Sequence, residues 1–463
     1  MTGYSATKMK YPGGRQYMYR LTLRDKAFSP YQLDHPTRWL SAKSVERRQR
    51  QGLALDSTDL PVSPRYLKTI RQQPGVDIVG TSRWNNTVVV HTADTTTLSP
   101  LAALPFVMKA ELVWVSPDST DRKLVRGNYH EYFNPWDSVK QERYGGGKEQ
   151  IEDLRGQRLH SIGLRGRGMT IAVLDGGFQN VNCLPAFSFL DIDGIRDCVW
   201  HNPETPHPEN GDEQIYYETD HGTRVLSAMA TNVPEVLVGT APEARYWLIR
   251  CEDQQSEQPI EEDYWAMAAE LADSAGCDVI NSSLGYNDYD APHTSITLGQ
   301  LDGHSTLISR TASMLAAKGM VLVNSAGNTG MGPWKKICVP ADADDILTVG
   351  AVNPQGGNAP FSAVGPSQDG RVKPDVMAIG SPAILINGRG SVVRDMGTSF
   401  ATPIVTGLVA CLWQAMPSLR AADIIKLIRL TANNSQTPNN VYGYGKPNFW
   451  KAYMVGVLRA KAK

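Results

Sequence analysis

The stretch Thr170-Ile-Ala-Val-Leu-Asp175-Gly-Gly177 is a run of mainly apolar residues that ends in a carboxylate and two glycines. A near-continuous run of this kind predicts a strand that is buried on both faces, as in a parallel sheet. The two glycines allow a sharp turn where the strand ends. Because ligands of open parallel sheets bind at the carboxyl ends of the strands, Asp175 stands where a functional site is expected.

Similar runs recur from residue 148 onward and alternate with longer helical segments. The other predicted strands are Tyr246–Ile249, Val279–Ser282, Met320–Val323, Ile346–Val349 and Val376–Ile379. Helices are predicted after His221, over Glu261–Ser274 and Thr306–Lys318, and after Ser399. This alternation is typical of βαβ units and predicts an α/β fold with a doubly wound, mostly parallel sheet and helices on both faces.

Two further boundaries between elements carry reactive side chains. His221 opens a helix in the tripeptide His-Gly-Thr, and Ser399 lies in Gly-Thr-Ser-Phe-Ala-Thr-Pro (residues 397–403), where an apolar helix begins. A serine is a poor nucleophile until a histidine takes its proton, and an aspartate orients that histidine. Taken singly, Asp175 is an ordinary turn former, His221 a capping or core residue and Ser399 a helix cap. Together they indicate nucleophilic catalysis.

The order Asp175, His221, Ser399 and the motifs around these residues resemble those of subtilisin-like serine proteases, above all secreted members from Bacteroidetes. The resemblance extends over residues 150–455 and implies that these three residues are the catalytic triad. It also implies that Asn328, which ends Asn-Ser-Ala-Gly-Asn, is the oxyanion-hole asparagine. The segment Asn-Ser-Ser-Leu-Gly (281–285) resembles the substrate-binding segment of the family. The implied substrate-binding residues are Ser283, Leu284, Gly285, Ala326 and Gly327.

The family resemblance implies a serine endopeptidase that forms an acyl-enzyme with protein or peptide substrates and needs no cofactor. It further implies a self-processing zymogen that acts outside the cytoplasm. Gly176 departs from the family pattern, which usually places Ser, Thr or another small residue there, and no calcium-ligand pattern of secreted subtilisins carries over. Two alternatives remain open: a non-catalytic binding module with this fold, and a processing protease dedicated to a single partner.

Residues 16–115 predict a separate, smaller domain with the element order β-α-α-β-β-α-β. The first strand begins at Tyr17, two short strands lie on either side of residues 83–86, and the last strand covers 111–115. Helices are predicted over 41–51, after Pro64 and over 98–104. This order approximates a ferredoxin-like α+β arrangement. By resemblance, the domain is similar to the inhibitory propeptide of subtilisin zymogens, which would bind the chain's own catalytic domain. Residues 1–15 are expected to be a tail, 116–147 a polar linker, and 148–463 the catalytic domain.

The overall composition excludes several classes of function. The 463 residues carry 46 Lys and Arg against 47 Asp and Glu, a balance that gives no support to binding of nucleic acid or of an anionic membrane surface. No apolar run reaches the roughly 18 residues of a membrane helix. The first residues lack the apolar core of a secretory signal, so the route of export is left open.

The cysteines and one cluster of histidines are further candidate sites. Six cysteines without a CxxC pair give no zinc-ribbon signal, and Cys183 and Cys198 either pair in an oxidising compartment or stay free. His201, His207 and Glu209 are potential metal ligands, but prolines between them break any regular spacing. We therefore expect no metal site.

Overall fold

The structure of the protein is a computed structural model that describes residues 8–11, 13–121, 143–203 and 208–461. We refer to residues 8–121 as the N-terminal domain and to residues 143–461 as the C-terminal domain. The strands of the N-terminal domain are β1 (Lys8–Lys10), β2 (Tyr17–Leu23), β3 (Asp77–Ser82), β4 (Thr87–Thr92), β5 (Val107–Val115) and β6 (Ser119–Asp121). Its helices are α1 (Ala42–Gln51), α2 (Pro64–Arg71) and α3 (Leu98–Ala102).

The main sheet of the N-terminal domain is antiparallel, with strand order β3-β4-β2-β5. Combined with the order of the helices along the chain, this confirms the predicted ferredoxin-like arrangement. The local signals act as expected: the Ser41 side chain caps α1 by accepting a hydrogen bond from the Ser44 N–H at 3.1 Å, and Pro64 is the first residue of α2.

The C-terminal domain contains eleven strands and eight helices within its described residues. The strands are β7 (Thr170–Asp175), β8 (Asp191–Asp197), β9 (Asn232–Val233), β10 (Leu237–Val238), β11 (Arg245–Arg250), β12 (Val279–Ser282), β13 (Val321–Ser325), β14 (Leu347–Val352), β15 (Val376–Ile379), β16 (Ala383–Ile386) and β17 (Val392–Asp395). The helices are α4 (Lys148–Asp153), α5 (Gly156–Ser161), α6 (His221–Ala230), α7 (Ile260–Ala275), α8 (Leu307–Met314), α9 (Thr398–Gln414), α10 (Ala421–Thr431) and α11 (Phe449–Lys461).

Seven of these strands form one parallel sheet with the order β15-β14-β13-β12-β7-β11-β8. All six predicted strands belong to it, which confirms the parallel α/β fold. The seventh strand, β8, was missed because its sequence, Asp-Ile-Asp-Gly-Ile-Arg-Asp, has the charged composition of an edge strand rather than an apolar run.

Side chains of β7 alternate between two hydrophobic cores, one on each face of the sheet. Ile171 and Val173 pack in the core that contains α6, α9 and α10, whereas Ala172 and Leu174 pack in the core that contains α7 and α8. All four side chains are fully buried, which explains why the strand reads as a continuous apolar run. The sheet is therefore covered by helices on both sides, with the carboxyl ends of its strands at one edge.

One face of the N-terminal sheet packs against α7 of the C-terminal domain. Met18, Val89 and Trp114 share a hydrophobic core with Tyr264 and Trp265 of that helix. The opposite face of the same sheet packs on the domain's own helices α2 and α3. The N-terminal sheet is thus buried on both faces, but one of its two cores is supplied by the C-terminal domain.

Buried charges join the two domains beside this apolar contact. Asp273 of α7 accepts hydrogen bonds from Arg47, Arg48 and Arg83 of the N-terminal domain; we call these four residues the Asp273 cluster. Arg48 binds both carboxylate oxygens, at 2.8 and 2.9 Å, and Arg83 binds Oδ2 at 2.6 Å. Burial alone would raise the pKa of Asp273, but the three arginines outweigh that effect and lower it to about 2.

The ends of the predicted domains differ from the structure in one respect. Lys8–Lys10 lies in the predicted tail and Ser119–Asp121 in the predicted linker, yet the two segments pair as antiparallel strands β1 and β6. Such a pairing between remote segments leaves no local signal in the sequence. Residues 122–142 of the predicted linker lie outside the described residues.

The six cysteines are all free thiols, so Cys183 and Cys198 do not form the disulfide that the sequence left open. Cys183 is exposed and Cys198 is partly buried, whereas the other four are buried. Across the described ranges, no helix combines the length and the apolar character needed to cross a membrane.

Candidate active site

Asp175 is the last residue of β7 and is fully buried. The N–H of Gly176 donates a hydrogen bond to Oδ1 of Asp175 at 2.8 Å and so helps to fix the carboxylate. Gly222, near the start of α6, lies so close to the strand end that a Cβ atom there would be 2.3 Å from the carbonyl oxygen of Gly177. The absence of a side chain at residue 222 thus allows α6 to approach Asp175.

His221 is the first residue of α6, and its ring contacts the Asp175 carboxylate. Nδ1 of His221 lies 2.9 Å from Oδ1 and 3.1 Å from Oδ2 of Asp175. A histidine that donates from Nδ1 to a carboxylate keeps Nε2 as a proton acceptor. Burial opposes the charged ring and is the largest single effect, but the charge and hydrogen bond of Asp175 and the charge of Glu252 together outweigh it and leave the pKa of His221 raised.

Ser399 is the second residue of α9 and is held against the segment that follows β12. Its Oγ donates a hydrogen bond to the carbonyl oxygen of Ser283 at 3.1 Å, and Oγ of Ser283 donates to the carbonyl oxygen of Ser399 at 2.8 Å. Phe400, the next residue, places its ring centroid 5.6 Å from that of His221. The structure thus brings Asp175, His221 and Ser399 to one edge of the sheet, with the serine hydroxyl bonded to Ser283 rather than to His221.

Asn328 lies on the exposed loop after β13 and is oriented by Thr398. Oδ1 of Asn328 accepts hydrogen bonds from the N–H of Thr398 at 2.9 Å and from its hydroxyl at 3.0 Å. Because a backbone N–H can only donate, the contact fixes which end of the amide faces Thr398. Nδ2 of Asn328 therefore points away from Thr398, beside Gly397, and can donate to another group. The sequence did not identify Thr398 as the residue that sets this orientation.

The predicted substrate-binding residues form two adjacent segments. Ser283, Leu284 and Gly285 continue β12, and Ala326 and Gly327 continue β13, its parallel neighbour in the sheet. Leu284 and Ala326 are buried.

Cys338 fills the space between these two segments and was missed by the sequence analysis. A Cβ atom on Gly327 would lie 2.7 Å from Sγ of Cys338, and one on Gly285 would lie 3.1 Å from Cβ of Cys338. Both glycines therefore leave room for this side chain, which is 3% exposed. In the sequence, Cys338 lies between a charged loop and a proline and gives no signal of such a position.

Glu252 is a second carboxylate beside the Asp175–His221 pair, and it too was missed. A Cβ atom on Gly176 would lie only 2.5 Å from Oε2 of Glu252. Burial, reinforced by the charge of Asp175, raises the pKa of Glu252 to about 7. Gly176, which follows Asp175, thus leaves space for the side chain of Glu252, two residues beyond the end of β11.

The structure describes only part of the histidine cluster that the sequence offered as potential metal ligands. His201 is paired with Asp197, with Nε2 of the histidine 2.9 Å from Oδ2 of the aspartate, and His207 lies outside the described residues. Within the part of the chain that the structure describes, no group of three or more His, Cys, Asp or Glu side chains is arranged to hold a metal ion.

Comparison with known proteins adds two family matches. Residues 166–445 match the subtilase family, and residues 18–126 match the peptidase S8 propeptide domain of Bacteroidota. The two matches correspond to the C-terminal and N-terminal domains described above.

Individual relatives agree with the family matches. The chain is 28% identical over 299 residues to a thermostable alkaline protease of Halalkalibacterium halodurans, covering 64% of this chain and 70% of the relative. It is 28% identical over 302 residues to subtilisin Savinase of Lederbergia lenta, covering 64% of this chain and 95% of the relative. The crystal structure of MycP1 with its N-terminal propeptide removed superimposes with a TM-score of 0.50 at 23% identity, over 66% of this chain and 96% of that one. The chain belongs to the subtilase family of serine peptidases and carries a propeptide domain ahead of its peptidase domain.

Proposed function

We propose that this subtilase is an active serine endopeptidase in which Ser399 is the nucleophile, His221 the general base and acid, and Asp175 the residue that orients His221. The observation that carries the proposal is the close contact of His221 Nδ1 with both carboxylate oxygens of Asp175, at 2.9 and 3.1 Å, beside the helix start that presents Ser399. A binding module would have no use for a buried carboxylate that fixes the histidine tautomer.

The reaction begins with a rotation of the Ser399 side chain. Its Oγ leaves the carbonyl oxygen of Ser283 and turns toward Nε2 of His221, which takes the proton as Oγ attacks the scissile carbonyl carbon. The same histidine then donates the proton to the leaving amine. In the second half of the reaction His221 takes a proton from water, the water attacks the acyl-enzyme, and His221 returns the proton to Oγ of Ser399. Asp175 stays ionised and stabilises the imidazolium in both steps.

Two hydrogen-bond donors are proposed to stabilise the negatively charged oxygen of the tetrahedral intermediate. Nδ2 of Asn328 is directed away from Thr398, and the N–H of Ser399 lies in the first turn of α9, where backbone donors lack partners within the helix. Donors that are already oriented stabilise the developing oxyanion without further reorganisation.

Asn328→Ala should lower kcat by about 10²–10³-fold, or roughly 2.7–4 kcal/mol, with little change in KM. The magnitude is the one known for the corresponding asparagine of subtilisin. The effect falls on kcat because the donor meets the oxyanion of the transition state better than the planar carbonyl of the bound substrate. Steady-state kinetics on one peptide, with thermal unfolding of both proteins, measures it.

A near-normal kcat of Asn328→Ala would show that other groups bind the oxyanion. A raised KM together with a lower melting temperature would show instead that Asn328 only shapes its loop through Thr398.

The N-terminal domain is proposed to be an inhibitor of its own peptidase that is removed by self-processing. At the end of β5, the backbone of Val115 pairs with the side-chain amide of Gln258: its N–H donates to Oε1 at 2.8 Å and its carbonyl accepts from Nε2 at 3.0 Å. Gln258 lies two residues before α7, so the end of β5 is held against the peptidase domain. A zymogen of this kind suits a peptidase that acts outside the cytoplasm, where we place it.

Purified wild-type protein should be cleaved between Val115 and Lys148, leaving a fragment of residues ~145–463, because polar segments between domains are the sites of proteolytic nicking. Ser399→Ala should remain at full length under the same conditions. Intact-mass spectrometry of both proteins measures the outcome. Full activity of an uncleaved chain with the N-terminal domain still docked would contradict the zymogen proposal.

A fluorophosphonate probe tests the peptidase proposal as a whole, because it phosphonylates only an activated serine, with loss of fluoride. Wild-type protein should be labelled at Ser399, and the labelled peptide should be identified by mass spectrometry. A folded wild-type protein that leaves Ser399 unlabelled would favour the alternative of a non-catalytic binding module. Profiling with a peptide library distinguishes a general peptidase from one dedicated to a single partner.

A further inference from the structure

Glu252 reaches the active site through the pairing of two neighbouring strands. β11 lies beside β7 in parallel, with Arg250 opposite Asp175, and the N–H of Cys251 donates a hydrogen bond to the carbonyl oxygen of Asp175 at 3.0 Å. Glu252 is therefore the second residue beyond the partner of Asp175, at the same carboxyl edge of the sheet. The segments that follow the two strands leave the edge side by side, which places Glu252 beside Gly176, the residue after Asp175.

The carboxylate of Glu252 occupies the space that a side chain at residue 176 would fill. A Cβ atom on Gly176 would lie 2.5 Å from Oε2 of Glu252 and 2.9 Å from Nε2 of Gln254. Nε2 of Gln254 donates a hydrogen bond to the same Oε2 at 2.6 Å, which holds the carboxylate against Gly176. This arrangement needs the glycine, and the family's usual Ser or Thr would displace it.

In the described part of the chain, Glu252 forms no ion pair with a basic side chain. Arg250 lies nearby, but its Nη1 binds Asp197 at 3.0 and 3.1 Å and its Nε binds the carbonyl oxygen of Gly176 at 3.1 Å. Among the described residues, no Lys, Arg or His nitrogen comes within 4.0 Å of the Glu252 carboxylate. The charge of Glu252 therefore acts on its ionisable neighbours without a direct ion pair, and Asp175 and His221 are among those neighbours.

We propose that Glu252 is a positioning residue of the peptidase, whose carboxylate stabilises the charged imidazolium of His221 as a second acidic group beside Asp175. The proposal rests on the proposed function, since it assigns Glu252 a part in the same triad. Glu252 touches neither the substrate nor the reacting atoms and acts through His221. Gly176, which departs from the family pattern, is explained as the residue that admits this carboxylate.

The charges around the two groups determine the direction of the effect. His221 faces Asp175 and Glu252, which both favour its protonated form, and Arg224, which opposes it. Glu252 faces Asp175, His221 and Arg250. The acidic side chains of Glu257 and Glu261 also interact with Glu252 and have raised pKa values, mainly because they are buried. Loss of the Glu252 charge should therefore lower the pKa of His221.

Because the pKa of Glu252 is about 7, its charge acts on His221 near and above that pH. In that range Glu252→Gln should shift the acidic limb of the pH–rate profile to lower pH by roughly 0.5–1 unit, because neutral His221 is the reactive form and now persists at lower pH. The plateau at high pH should fall by up to about tenfold, since the imidazolium of the transition state loses a stabilising charge. The rate to measure is the second-order labelling of Ser399 by the fluorophosphonate, from pH 4 to 10, in the full protein as purified.

Three further variants separate charge from packing. Glu252→Asp keeps the charge and should restore most of the wild-type profile, whereas Gly176→Ser should push the carboxylate away and shift the limb in the same direction as Glu252→Gln. Glu149→Gln removes an exposed carboxylate at the start of α4 and should leave the profile unchanged.

The outcomes distinguish this proposal from the one on which it rests. If Ser399 of the wild type is labelled and Glu252→Gln has an unshifted acidic limb, with or without a lower melting temperature, the role of Glu252 is wrong and the peptidase proposal stands. If the folded wild type is not labelled at any pH, the peptidase proposal fails and the role of Glu252 falls with it.

Discussion

Ser399→Ala and His221→Ala should each lower kcat for peptide hydrolysis by about 10⁶-fold, and the double variant should be no slower than either single variant. The three groups of a triad act as a unit, so that loss of the nucleophile or of its base removes the same step. Subtilisin shows losses of this size for the corresponding residues. Initial rates on a shared peptide substrate, at equal concentrations of folded protein, measure the effect.

Both variants should remain folded, because neither side chain is part of a hydrophobic core. Ser399→Ala removes one hydrogen bond to Ser283, which is worth about 1 kcal/mol in the free energy of unfolding. Ser161→Ala, at an exposed position at the end of α5, is a matched control and should keep full activity. Substantial turnover by folded Ser399→Ala would show that the nucleophile has been assigned wrongly.

Asp273→Asn should weaken the free energy of docking of the N-terminal domain on the C-terminal domain by about 3–5 kcal/mol. This corresponds to a shift of about 10²–10⁴-fold in the equilibrium toward the undocked form. The variant removes the one acidic partner that Arg47 has among the described residues, whereas Arg48 keeps its pair with Asp59 at 3.0 Å and Arg83 keeps Glu270 at 3.8 Å. A buried charge that loses its partner is costly. Hydrogen exchange of β3 and α1, in a Ser399→Ala background that prevents cleavage, measures the docking equilibrium.

Asp77→Asn is the matched control, since Asp77 lies on β3 of the same domain with its side chain 85% exposed. It should change docking by less than about 0.5 kcal/mol. Equal exchange in Asp273→Asn and in the control would contradict the proposed importance of the Asp273 cluster.

The docking strength should also depend on pH through Asp273. Its pKa is lowered from 3.8 to about 2, so its contribution is fully present above pH 4 and is lost as the pH falls toward 2. Asp263 and Glu270, also at the domain interface, have pKa values raised mainly by burial and do not add to this loss. The acid-induced loss of docking between pH 4 and 2 should be absent in Asp273→Asn.

Sequence patterns predicted the fold well for two reasons. The strands of the parallel sheet are mostly buried on both faces and read as apolar runs, and β3 and β4 form a hairpin with a clear turn. The run 170–175 could be recognised as a central strand since every one of its side chains is buried. The edge strand β8 and the pairing of β1 with β6 could not, because their stability depends on a neighbour that is distant in the sequence.

Candidate site residues could be predicted where they lie in a short sequence motif. They could not be predicted where only a contact in the folded structure places them at the site. Asp175, His221, Ser399 and Asn328 stand in short motifs at the ends of elements, and the structure brings them together. Thr398 sits in the same motif as Ser399, but its hydrogen bond to Asn328 joins residues 70 positions apart. Glu252 gave no signal, since only the register of β11 against β7 places it beside Asp175.

The shared core between the N-terminal sheet and α7 has a consequence for the proposed cleavage between the domains. Met18, Val89 and Trp114 are 4% exposed or less while the two domains are in contact. A detached N-terminal domain would present these side chains to water on one open sheet face, and it would have lost the partner that completes its second core. Such a fragment is marginally stable and readily degraded. Separation of the domains is therefore expected to be irreversible in practice, so that activation proceeds in one direction without a separate step to prevent rebinding.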